Sequence, residues 1–124
     1  MPRVDLVLLA YRKSLEWLEE ARNAIAAGAP ERATPLLSRT QLVISSLAAG
    51  VAGAEDEVSL NFLRLYEFIS NAISQGDAND LDAARNVLRT LMAGFEAARG
   101  QAIALEIQGS IPAMGRDHVL HLTV

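Results

Sequence analysis

Apolar residues recur at helical spacing through four long stretches of the chain, and each stretch ends at glycine, proline or small polar residues. The first stretch runs from about Val4 to Ala27 and sets Val4, Val7, Leu8, Tyr11, Leu15, Leu18 and Ile25 on one face. Gly28 stops it and Pro30 follows, the order expected where one helix ends and another begins. The second begins near Glu31 and carries the cleanest stripe: Ala33, Leu36, Leu37, Thr40, Val43, Ile44, Leu47, Ala48 and Val51. Pro35 falls in or just past its first turn, where the missing donor costs little. Gly50 to Ala54 breaks the pattern, and Glu55, Asp56 and Glu57 then complement the dipole of a third helix. The inner face of that helix is Val58, Phe62, Leu65, Tyr66, Ile69, Ala72 and Ile73, and Gly76-Asp77 ends it. Asn79 or Asp80 is placed to cap a fourth helix with the stripe Leu81, Ala84, Leu88, Leu91, Met92, Phe95 and Ala102.

Short connections between helices of this length favour antiparallel neighbours, so the expected fold is all-α: an up-and-down four-helix bundle over residues 1–107. From Gln108 the pattern changes. Gly109, Pro112 and Gly115 punctuate a tail over 108–124, expected to be irregular or extended, with 117–124 closest to a short extended segment.

Some apolar residues lie off these inner faces. Leu6 and Trp17 project roughly 120° or more from the first stripe, and Leu42 lies opposite the second. Leu60 and Leu63 sit well off the third face with Phe68 at its margin, and Val87 and Leu105 form one shoulder of the fourth helix. Helices that touch two neighbours bury a wider arc, which accounts for Phe68 and Val87. Leu42, Leu60 and Leu63 call for a partner surface, and Trp17 either packs a second seam or anchors an interface.

Composition narrows the function. The 124 residues form one domain with enough apolar content for a core, and no apolar run is long enough to span a membrane. A charge within the first five residues and no small-residue cleavage site argue against a secretory signal, which leaves the cytoplasm. The net charge is -4 and the basic residues are scattered, which disfavours nucleic acid. Cysteine is absent. Both histidines, His118 and His121, fall in the tail, and their spacing in an extended segment points the rings to opposite faces, a poor start for a metal site. No Glu-x-x-His pair, calcium loop or phosphate-binding glycine loop is present, so no enzyme activity, metal or cofactor is expected.

Two segments carry a resemblance: Leu6 to Leu18, which contains Leu9-Ala10-Tyr11 and Trp17-Leu18, and Leu60 to Ile69, which contains Asn61, Leu65-Tyr66-Glu67 and Phe68. Both resemble signature stretches of the flagellin export chaperones, the FliS family. Arg32 to Leu47 and Asp82 to Ala98 are similar to that family's second and fourth helices, so the resemblance spans about residues 5–100 in order.

The resemblance implies a cytosolic secretion chaperone. Its partner is the C-terminal helical segment of flagellin, kept from premature polymerisation and passed to the flagellar export apparatus, whose other components are further partners. Trp17, Leu42, Leu60, Leu63, Phe68 and Val87 are the candidate client contacts. The chain departs from the family in lacking the usual N-terminal extension, and Ile111, Met114, Val119, Leu120 and Leu122 of the tail are expected to cover the exposed groove in its place. The alternative is a self-associating bundle, a homodimer formed through Trp17 and Leu42, without a flagellin client.

Overall fold

The apolar periodicity becomes four helices: α1 (Arg3–Ala26), α2 (Pro30–Val51), α3 (Glu57–Gln75) and α4 (Ala78–Ile107). The structure, a computed structural model, describes residues 3–107, with side chains over 4–100. The tail over 108–124 lies outside the described residues, as do both histidines and the side chain of Leu105.

Each helix packs against its neighbour in sequence and α4 returns to α1, which places α1 diagonally opposite α3, and α2 opposite α4. Cross-helix pairs set the directions. Asp5, near the start of α1, meets Arg99, late in α4, at 2.6 Å, while Arg22 and Asp82 pair at 3.3 Å at the other end. The fold is an antiparallel up-and-down four-helix bundle, with no strand among the described residues.

Local chemistry explains where the helices begin and end. Pro30 opens α2 with its φ preset for a helix. Pro35 lies just past the first turn, where it forgoes the bond to the carbonyl of Glu31, and the helix continues to Val51. Asp56 caps α3 by accepting the Ser59 N–H at 2.8 Å, and Gly76 closes it in the left-handed conformation at φ 73°. The cap of α4 is Asp77, not Asn79 or Asp80: its carboxylate accepts the Asp80 N–H at 2.8 Å, and its carbonyl accepts from Leu81. That N–H holds the Asp77 carboxyl below the usual carboxylate range. Asp56→Ala is expected to cost about 1 kcal/mol, measured as a lower urea midpoint with an unchanged slope.

The core is built from Leu18, Ile44, Ile69, Leu81 and Leu88, all fully buried, each contributing about 2 kcal/mol by burial. Four aromatic rings tie three helices together across it. Tyr11 meets Phe95 edge-on at 5.5 Å, Phe95 meets Phe62 at 5.4 Å, and Phe62 stacks on Tyr66 at 6.2 Å. The Tyr11 and Tyr66 hydroxyls close the circuit at 2.7 Å, spanning the α1–α3 diagonal.

Val58 and Leu65 correct the expected inner face of α3, because both are exposed. Helical phase puts them about 80–100° from Tyr66, on the flank toward α4. The residues facing that flank from α4 include Thr90, Gly94 and Ala98, which are too small to cover them.

Candidate functional site

α3 concentrates the apolar surface that the bundle leaves uncovered. Val58, Leu60, Leu65 and Phe68 are all large, apolar and exposed, whereas α4 contributes no exposed large apolar residue among those described.

Val58 and Leu65 border a cleft between α3 and α4, whereas Leu60 lies on the opposite flank of α3, toward α2. Val58 and Phe62 form one wall, Leu91 and Phe95 the floor, and Thr90, Gly94 and Ala98 the opposite wall. Its volume is about 250 Å³, and it opens along the seam. That is below the ~300–1,000 Å³ of typical small-molecule sites and suits a row of side chains from a partner helix. Phe62 and Phe95 belong to the aromatic circuit, so the buried Tyr11–Tyr66 hydrogen bond indirectly fixes the floor. By helical phase Leu65 continues the α3 wall, and Phe68, 48% exposed, stands on its outer edge.

Two other seams carry polar contacts. Arg12–Glu96, Arg22–Asp82 and Arg99–Asp5 join α1 to α4. Gln41 Nε2 donates to the Ser70 carbonyl at 3.1 Å and to Ser74 Oγ at 3.3 Å, joining α2 to α3. The inter-helix ion pairs seen among the described residues all lie on the α1/α4 seam. The α3/α4 seam, lined by Val58, Phe62, Leu91, Phe95 and Ala98, is predominantly apolar.

The six candidate contacts separate into distinct settings. Leu60 and Phe68 are exposed on α3, and Leu42 is the most exposed large apolar residue described, at 71%. Leu42 stands on the outer face of α2 beside Ser38, Gln41 and Ser45, away from the cleft. Leu63 and Val87 are half-buried and pack on the core. Trp17 is half-buried with the Arg39 guanidinium 5.4 Å from its ring centroid, so it packs a second seam between α1 and α2. Val58, Leu65 and Gly94 were not among the candidates. Their signal was the excess apolar arc of α3 beside a run of small residues on α4.

Among the described residues no group of three or more His, Cys, Asp or Glu could hold a metal ion, and no helix is long and apolar enough to cross a membrane. A family model described as flagellar protein FliS matches residues 1–102. No curated protein and no solved structure matches the chain.

Proposed function

The chain belongs to the FliS family of flagellar proteins, a family of flagellar export chaperones, and from that premise we propose that its client is the C-terminal helical segment of flagellin, bound in the cytoplasm along α3. The observation that carries this is the exposed apolar strip of Val58, Leu65 and Phe68 on α3, beside a cleft walled by Phe62 and floored by Leu91 and Phe95. A flagellin segment that is disordered alone folds as amphipathic helices when its apolar face finds such a surface. Capture hides the face that drives subunit polymerisation, so the client stays competent for hand-over to other export components. Binding and release are the whole of this activity; no bond is made or broken.

Isothermal titration calorimetry of the full chain with the C-terminal segment of flagellin from the same organism tests the proposal. One-to-one binding with a negative heat-capacity change is expected, since apolar burial gives that signature. Absence of binding at a segment concentration of about 100 μM, a free energy near -5.5 kcal/mol, would rule out this client.

A further inference from the structure

We propose that the end of the bundle where α1 finishes and α4 begins carries a second docking site, which takes an acidic segment of a protein partner other than the flagellin client. Arg22 on α1 and Arg85 on α4 share one carboxylate there: Asp82 Oδ1 lies 3.3 Å from Arg22 Nε and 3.2 Å from Arg85 Nη1. Arginine presents its N–H donors in a planar fork, so one shared carboxylate leaves most of both forks open. Arg85 has little water to turn to. Its side chain is 16% exposed, and its Nε is shielded from solvent without an acceptor among the described residues. A guanidinium withdrawn from water and only partly paired gains more from an incoming carboxylate than a solvated one does. Arg89 lies one turn further along α4, exposed, and its one hydrogen bond among the described residues runs from Nη1 to Asn86 Oδ1 at 3.3 Å.

These three arginines line a polar pocket of about 390 Å³ between α1 and α4. Against them stand two carboxylates, Glu19 and Asp82, which leaves the pocket one positive charge in a chain whose net charge is -4. Charge complementarity favours an acidic partner. The other polar groups favour a peptide over a free phosphate. Glu19 has no cationic partner among the described residues and can accept a backbone N–H, while the Asn23 and Asn86 amides can meet backbone N–H and C=O groups alike. A phosphate would set a compact dianion against both carboxylates. The site is also separate from the cleft. Around α4, the face holding Asp82, Arg85 and Arg89 is roughly 140° from that holding Thr90, Gly94 and Ala98, so both surfaces can be occupied together.

The test is a titration of the isotopically labelled full chain with acetylated, amidated tetraglutamate, followed through backbone amide and arginine Nε–H signals. Shifts confined to the surroundings of Arg22, Arg85 and Arg89 are expected, half-saturating below about 1 mM peptide at low salt and weakened several-fold when the salt is raised. Tetraglutamine should shift nothing. Arg89→Glu is expected to weaken the peptide at least tenfold, about 1.4 kcal/mol, without lowering the thermal midpoint, since Arg89 is exposed and joins no ion pair among the described residues. The proposal is overturned by the absence of shifts at about 5 mM peptide, by shifts spread over the whole surface, or by shifts that Arg89→Glu leaves unchanged. Inorganic phosphate that reproduces the shifts at equal concentration would make this a general oxyanion site and overturn the peptide assignment. Calorimetry of the flagellin segment in the presence of tetraglutamate should give an affinity within about twofold of that without it. Displacement of the flagellin segment would merge the two surfaces and overturn a separate partner. The titration itself does not involve flagellin, so its failure and that of the client assignment are read separately.

Discussion

Gly94→Trp is expected to weaken binding of the flagellin segment at least a hundredfold while the bundle stays folded. A β-carbon added at Gly94 meets no atom within 4 Å, so a larger side chain enters the open seam rather than the core. The cleft there is about 250 Å³, and an indole occupies much of it. A hundredfold loss is about 2.7 kcal/mol, the size of a hot-spot effect at a protein interface. Replacing a mid-helix glycine removes a propensity penalty of up to about 1 kcal/mol, so the thermal midpoint should hold or rise. Gly94→Ala supplies the control: it shares the propensity gain, leaves the cleft open, and should bind within about threefold of the parent by the same free-energy scale. Leu42→Asp, out on α2, should weaken binding less than Gly94→Trp. Calorimetric titrations paired with thermal melts decide the matter. A folded Gly94→Trp protein that binds as tightly as the parent would remove the client from the α3/α4 seam.

Helical phase made the bundle legible, and the limit of what phase contains explains the rest. The stripe through Ala33, Thr40, Ile44 and Val51 is visible in sequence because 100° per residue groups those positions, and all four are buried. Leu42 was legible for the same reason, since the residue opposite a clean stripe has nowhere to go but outward. Val58 and Leu65 were not. Their phase puts them at a margin, and whether a margin is covered depends on the bulk of the neighbouring helix, a property of Thr90, Gly94 and Ala98 that no periodicity on α3 contains. Trp17 illustrates the opposite case: its phase points away from the main stripe, but Arg39 of α2 lies over its ring and it becomes part of a seam. The cap of α4 was misplaced for a simpler reason. Asp77, Asn79 and Asp80 are all competent capping residues, and only the Asp80 N–H bonded to the Asp77 carboxylate distinguishes them.

The buried tyrosine pair is expected to produce the largest effect of a single-atom deletion on stability. Tyr11 is fully buried and Tyr66 nearly so, and their hydroxyls bond at 2.7 Å across the α1–α3 diagonal. Tyr11→Phe removes one oxygen and strands the other in an apolar core, at a cost of about 1–3 kcal/mol, an appreciable part of the ~5–15 kcal/mol that holds a domain folded. Tyr66→Phe should cost a similar amount. The double variant should recover much of the loss, because no unpaired hydroxyl remains, and the thermodynamic cycle isolates the coupling. The pair also predicts an alkaline limit. Burial raises both phenols above their ordinary value of 10.0, so the folded state prefers them neutral. Their contribution is therefore complete below the unfolded value and is lost as the pH climbs above 10 toward the folded values, by about 1.4 kcal/mol per pH unit for one hydroxyl. Urea unfolding between pH 7 and 11 should show this decline in the parent and a flatter limb in the double variant. Since Phe62 and Phe95 connect this pair to the cleft floor, the single variants should also weaken the flagellin segment, and the double variant should weaken it less. A Tyr11→Phe protein as stable as the parent would mean that the diagonal bond contributes nothing to the fold or to the floor above it.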